Sequence, residues 1–384
     1  MEHVISNAEA SFVDIIWNLT LVCPWDCRKC CVDAVHVQSR GGEVVMRSNN
    51  LTRVERIPLG LLPGRSAYDQ AAALRQRQGL ELDLAGKLRV LNHMAGSKVK
   101  LDFSGGDPLM LADTPIVMRR ARDLFGQSQI TLTATGPGLS RVDPAELADM
   151  IGELNFTYDG EPVGTDTNCP PNYAHSNLRK ARQLAAVGVA TRAECPLTLE
   201  NLDPAQLDRI FGNLHEAGID RLLVMRLFPV GRGETRTHQV PTREQYIDAI
   251  AYLRALEARH GYPKIKLQCA LKHLAGGVTA ANPCDAIRES FGLMANGTLL
   301  GSPWAINRFG QPIDPAWVLG NLADQTLDEV LQSQRVLDLQ QRLDTSWGHC
   351  KIFSYLYGAS DRAEDRMMEA ADPLYTTSEV GVPT

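Results

Sequence analysis

A chain of 384 residues with 44% hydrophobic and 22% charged residues has the composition of a folded globular protein, long enough for two or three domains. Its net charge of −6 provides no field that would gather nucleic acid or an anionic membrane surface. No apolar run reaches the roughly 18 residues of a membrane span, and the N-terminus lacks the basic-then-apolar order of a signal peptide, so a cytoplasmic protein is expected.

In chain order, short runs rich in Val, Ile, Leu, Phe and Thr predict strands at Val13–Val22, Lys98–Phe103, Gln129–Thr135, Leu154–Tyr158, Val189–Cys195 and Arg221–Phe228. Between them, helical periodicity predicts helices at Leu80–Met94, Pro115–Phe125, Pro144–Ile151, Asn177–Val187 and Pro204–Ala217. Pro144 and Pro204 each follow an Asp, a common helix opening. Six strands alternating with helices imply an α/β fold with a parallel sheet, as a full or a partial barrel. Residues 32–66 break the alternation and read as a long Gly/Arg-containing functional loop. A Gly/Pro/Thr loop after Arg226 leads into a helix near Arg243–His260. From about Gly276 the pattern turns to short Gly-punctuated runs, followed by one helix near Leu327–Leu343. The expected organisation is a core over 1–235 with the insertion 32–66, a linking helix and strand over 236–275, and a small α+β module over 276–384.

The nine cysteines, an odd number spread through a long chain, suit thiols kept reduced better than a disulfide scaffold. Four of them fall between positions 23 and 31. Cys23, Cys27 and Cys30 are spaced C-x3-C-x2-C directly after the first strand. Three thiolates on one tight loop hold three irons of a [4Fe–4S] cube and leave the fourth open. A zinc site would need a fourth ligand nearby, and none follows at matching spacing.

This triplet resembles the signature of the radical SAM superfamily. Leu101-Asp-Phe-Ser-Gly-Gly-Asp-Pro-Leu109, at the end of the second strand, resembles the family's GGE segment, with Asp107 where Glu is commoner. The resemblance implies a partial (β/α)6 TIM-like barrel, a [4Fe–4S] cluster on Cys23, Cys27 and Cys30, and S-adenosylmethionine (SAM) on its open iron. Reductive cleavage of SAM would then give a 5′-deoxyadenosyl radical that takes hydrogen from a substrate. It also implies an external electron donor of the flavodoxin or ferredoxin type. SAM contacts are implied at Ser104, Gly105, Gly106, Asp107 and Pro108, with weaker matches at Thr133, Thr135 and Arg192. The family's aromatic residue before the third cysteine is replaced by Lys29. Either Trp25 supplies the adenine surface, or Lys29 contacts the substrate or a carboxylate. Cys31 is expected as a small buried residue rather than a ligand. Arg226, at the end of the sixth strand, is a candidate substrate contact.

The segment from Cys284 to Ser302 resembles the start of a SPASM or twitch domain, with Ser302 standing at the second cysteine position. Cys350-Lys-Ile-Phe353 keeps the C-x2-C spacing but ends in Phe. Two of four expected ligands are therefore absent, and serine is a poor partner for a soft metal site. A module without a cluster is the favoured expectation. The alternative is a second [4Fe–4S] cluster on Cys269, Cys284 and Cys350.

Substrate class is read from charge. Arg40, Arg47, Arg53, Arg56 and Arg65 in the insertion, with Arg226, Arg232 and Arg236, suggest capture of an anionic small molecule by bidentate guanidinium contacts, with a solvated basic face as the plain alternative. The alternative substrate is a ribosomal peptide or protein side chain. Few residues precede the first strand, so a leader-binding partner would be a separate chain. A non-catalytic electron carrier or redox sensor would not need the Ser-Gly-Gly-Asp-Pro segment. The net negative charge and 6% aromatic content argue against a nucleic-acid substrate.

Overall fold

In the computed structural model, residues 12–161, 167–275, 284–346 and 348–375 are described. The N-terminal segment read for a signal peptide, and the expected module boundary near Gly276, lie outside them. Strand β1 spans Val13–Thr20, followed by a two-residue β2, Val22–Cys23. Then come β3 (Val35–Arg40), β4 (Glu43–Ser48) and β5 (Arg53–Pro58). The parallel core continues with β6 (Val99–Gly105), β7 (Ile130–Thr133), β8 (Glu153–Thr157), β9 (Ala190–Leu197) and β10 (Arg221–Arg226). Beyond it lie β11 (Lys264–Leu267), β12 (Ser290–Leu293), β13 (Thr298–Leu300) and β14 (Val318–Asn321).

All six expected core strands are present, and they form one sheet in the order β11-β10-β9-β8-β7-β6-β1-β12-β13-β14. From β11 to β12 every neighbouring pair is parallel. The outward residues Leu101, Phe103, Leu132, Phe156 and Ala193 are buried against the helices Leu84–Met94, Thr114–Phe125, Pro144–Met150, Tyr173–Ala186 and Pro204–Glu216. Burying each large side chain contributes roughly 1.5–3 kcal/mol, which sets the sheet's curvature against that layer. Asp143 and Asp203 cap the helices opened by Pro144 and Pro204, as the Asp-Pro pairs suggest.

Three expectations are corrected. Residues 32–66 are not a long loop. They form three strands that, with β2, make a second sheet in the order β2-β3-β4-β5. Gly41 and Gly42, both at positive φ, close the two-residue hairpin between β3 and β4, and the alternate residues Val44 and Met46 join one apolar cluster, with Val45 between them buried as well. The five arginines of this segment hid that alternation. A helix at Ala67–Arg77, capped reciprocally by Ser66 and Asp69, precedes the first helix expected. The helix expected at Leu327–Leu343 is two helices, Leu327–Leu331 and Gln334–Thr345, the first opened by a Thr326–Glu329 capping box.

The C-terminal hairpin does not stand apart from the core. Strand β12 adds to the free edge of β1 in parallel, with β13 and β14 antiparallel beyond it. Phe291, Leu293 and Leu299 join the same apolar core as Ile15 and Trp17.

Candidate active site

The site is built where β1 and β6 end. Gly106 N–H donates to the Thr20 carbonyl at 2.8 Å and Asp107 N–H to the Val22 carbonyl at 2.9 Å. The turn after β6 is thereby pinned to the strand that runs into Cys23. Only glycine fits there. A Cβ on Gly105, held at φ +125°, would stand 2.2 Å from the Thr20 carbonyl oxygen, and one on Gly106 2.3 Å from that of Val22. Buried Glu81 braces the same crossing. It accepts from Thr20 Oγ1 at 2.8 Å, Leu21 N–H at 3.0 Å and Arg75 Nε at 2.6 Å.

Above this crossing opens a cavity of about 200 Å³. Cys23, Cys27 and Cys30 line it, with Trp25, Lys29, Ser104, Gly105, Gly106, Thr133, Thr135 and Arg226. Asp107, Pro108 and Arg192 are not part of that lining. Asp107 is fully buried behind the turn, where it accepts from Leu109 N–H at 3.2 Å, Thr135 Oγ1 at 2.5 Å and Gly138 N–H at 3.1 Å. Burial pushes its carboxyl up to about 6, against the pull of those donors. Thr135 in turn accepts from Trp25 Nε1 at 3.2 Å, so the turn and the cysteine loop share one hydroxyl. Trp25 stands edge-on to Tyr173 at 5.4 Å.

The donor set suits an iron–sulfur cluster. All three thiols are free and open into one cavity, and the Ala34 N–H already donates to Cys30 Sγ at 3.3 Å. Burial pushes the Cys23 thiol well up, as does the Cys169 thiol beside Cys27 for that residue. Such thiols give up their protons when a soft metal binds. Cys31 and Cys169 also line the cavity, and Cys169 was not anticipated from the sequence. Cys31 is half-buried rather than enclosed.

Six of the eight arginines expected to capture an anion are engaged within the protein. Arg226 forms a bidentate pair with Asp372, at 2.8 and 3.0 Å, and lies over the Phe353 ring. Arg232, buried, donates through Nε to Asp33 at 3.0 Å, through Nη1 to the Cys27 carbonyl at 2.8 Å and through Nη2 to the Ala34 carbonyl. Arg236, also buried, donates to Asn168 Oδ1 at 3.0 Å. Arg47 pairs with Asp26 at 2.6 Å, and Arg53 and Arg56 pair with Glu55 and Glu43. Lys29 is ion-paired with Asp159. The Phe353 that replaces a cluster ligand packs on Phe228, which stacks on Trp304 at 4.5 Å. Burial first, then the neighbouring Cys284, raises the thiols of Cys269 and Cys350, and Cys350 adds to the effect on Cys269. Ser302, buried, accepts from Trp304 N–H through Oγ at 3.3 Å.

The barrel wall below the cysteines is acidic. Asp102 on β6 and Glu194 on β9 both line the cavity. Burial first, then the charge of Glu194, pushes Asp102 up to about 7. The folded protein thus keeps a proton on Asp102 that the unfolded chain releases near its ordinary 3.8. Stability falls as pH rises between those values and stays lowered above them. Asp102→Asn removes that loss. Urea denaturation is expected to show the variant more stable by up to about 4 kcal/mol at pH 8, and by less at pH 5.

No protein-family profile matches the chain. It is 31% identical over 181 residues to the PqqA peptide cyclases of three Xanthomonas campestris pv. campestris strains. That match takes in 45% of this chain and 46% of each relative, so the chain spans less than half the length of these curated relatives. Among solved structures, it resembles Streptococcus suis SuiB bound to S-adenosylmethionine with TM-score 0.60 and 13% identity, over 97% of this chain and 78% of SuiB. SuiB bound to its precursor peptide SuiA gives 0.53 and 13%, over 86% and 66%. Native anSMEcpe with bound AdoMet gives 0.52 and 14%, over 85% and 82%. The fold is one it shares with SuiB and anSMEcpe, an α/β partial barrel around a mostly parallel sheet. Among the described residues no helix is long and apolar enough to cross a membrane.

Proposed function

We propose that the protein is a radical SAM enzyme that acts on a peptide or protein side chain. The observation that carries the catalytic reading is the single cavity onto which Cys23, Cys27, Cys30 and the Gly105–Gly106 turn all open. Cys23, Cys27 and Cys30 would hold a [4Fe–4S] cluster and the turn would hold SAM. When bound, the pair supplies a 5′-deoxyadenosyl radical that abstracts hydrogen.

The chain's own residues do the rest. The paired hydrogen bonds from Gly106 and Asp107 fix the turn against the cysteine loop. Trp25 and Tyr173 offer an aromatic corner on the same side. Pro303 and Trp304, which follow the C-terminal hairpin, add to the lining of the same cavity. Reducing electrons would come from a flavodoxin- or ferredoxin-type donor, in a compartment that keeps the thiols reduced. The C-terminal residues are read as a twitch-like module without a cluster of its own.

Two observations support a peptide over the anionic small molecule expected from composition. The curated relatives are named for a peptide substrate, and SuiB has been solved with its precursor peptide. Six of the eight arginines counted as anion receptors are also engaged, with Asp372, Asp33, Asn168 and neighbouring acids. The test offers anaerobically reconstituted protein, SAM and dithionite a pool of deuterated peptides. Deuterium is expected in the 5′-deoxyadenosine, read by mass spectrometry. Label-free 5′-deoxyadenosine with peptides, but deuterium transfer from small-molecule extracts, would return the reading to a metabolite.

A further inference from the structure

Side chains alternate across a strand, so the inner face of the barrel carries Asp102 and Ser104 from β6, Thr133 from β7, and Asn155 and Thr157 from β8. β9 adds Glu194. Hydrogen bonding on this face is one-sided. Asp102 accepts from Thr133 Oγ1, at 2.9 Å to each oxygen, and from Asn155 Nδ2 at 3.2 Å. The other end of that amide, Asn155 Oδ1, is buried and has no hydrogen-bond partner, although the residue is fully enclosed. Among the described residues the cation paired with Glu194 is Arg192, at 3.9 Å, beyond hydrogen-bond reach, and Arg192 sits closer to Glu153 at 3.5 Å.

The two cations that line the cavity are committed elsewhere, Lys29 to Asp159 and Arg226 to Asp372. Two carboxylates therefore line the cavity, and the cation that acts on both, Arg192, stands outside the lining, 3.9 Å from Glu194 and nearer to Glu153. Buried acceptors call for donors, and buried carboxylates for a positive charge.

We propose that Asp102 and Glu194 form a receptor for a cationic group of the substrate, an ammonium or guanidinium. This rests on the reading of the cavity as the active site of a radical SAM enzyme, and it narrows the substrate to a side chain or terminus that carries positive charge. The receptor orients the substrate from below while the cysteine loop faces it from above. The composition of the surface arginines pointed to the opposite charge.

The test titrates SAM-loaded, anaerobically reconstituted protein with butylammonium, butanol or butyrate, followed by ligand-observed NMR. Butylammonium is expected to bind about tenfold to a hundredfold more tightly than butanol, the gain of hydrogen bonds to a charged partner, and butyrate not at all. Asp102→Asn with Glu194→Gln is expected to cancel that preference and leave butanol unchanged. Equal binding of the three probes, an undiminished ammonium preference in the double variant, or loss of ammonium binding when SAM is added would each overturn the proposal. The wild-type selectivity decides even if the variant does not fold. A protein that takes up no iron and no SAM would defeat the catalytic reading instead, and the same titration without SAM would still decide on the receptor.

Discussion

Replacing Cys23, Cys27 and Cys30 together by alanine is expected to remove about four irons per chain and to bring reductive SAM cleavage below detection. The triple variant is the informative one because Cys31 and Cys169 line the same cavity and stand ready to substitute for a single missing thiolate. Folding should survive. The variant loses the Ala34 N–H bond to Cys30 Sγ and the Cys27–Cys169 thiol contact, but the loop is still held by Arg232 and by the strand pairing of Val22 and Cys23 with Val35 and His36. Iron and sulfide analysis beside 5′-deoxyadenosine formation reads the result. Unchanged SAM cleavage in the triple variant would sink the assignment. Four irons left behind would place a second cluster on Cys269, Cys284 and Cys350, whose thiols are mutually close.

The second large effect is expected from Arg232→Ala, at a position that touches neither substrate nor cofactor in the proposed reading. Arg232 reaches back from the loop after β10 and ties the Asp33 carboxylate and the carbonyls of Cys27 and Ala34 to one guanidinium. Its own N–H donates to the Cys30 carbonyl at 2.8 Å. Asp33 sits at a positive φ of 48° and is held there by Asn50 N–H as well. Truncation leaves a buried carboxylate without its counter-charge and removes the guanidinium donors from the Cys27 and Ala34 carbonyls. The expected loss is about 3–5 kcal/mol by urea denaturation. Arg232→Lys should recover little of it, because an ammonium cannot span three acceptors arranged for a planar fork. Asp33→Asn on the Arg232→Ala background should recover part, since it removes the orphaned charge. Iron uptake should weaken in parallel as the Cys27–Cys30 turn loosens.

The parts of this molecule that the sequence discloses are the local ones. Short runs in which apolar residues recur mark the strands whose one face packs on the helices, so β6 to β10 are visible, and Asp-Pro pairs mark two helix starts. The cysteine triplet and the Ser-Gly-Gly-Asp-Pro turn are each short enough to recognise whole. Pairings across long separations are hidden. Nothing near Arg226 announces Asp372, and nothing near Arg232 announces Asp33, so free arginines were expected where the structure has internal ion pairs. Asp102 and Glu194 were hidden for another reason. A polar residue on an alternating strand looks the same whether its face meets solvent or a cavity. The small sheet over 35–58 was missed because its Gly-Gly hairpin lies among charges, although the hairpin signal was present.

The parallel pairing of β12 with β1 bears on how this chain is made. As synthesis proceeds from the N-terminus, β1 acquires β6 early, but its other flank stays open until nearly three-quarters of the protein has left the ribosome. During that interval a strand carrying Ile15 and Trp17 presents unpaired backbone to any passing chain. Shortened translation products that stop before Ser290 would keep that flank exposed permanently. They are the species on which chaperones and proteases should act first.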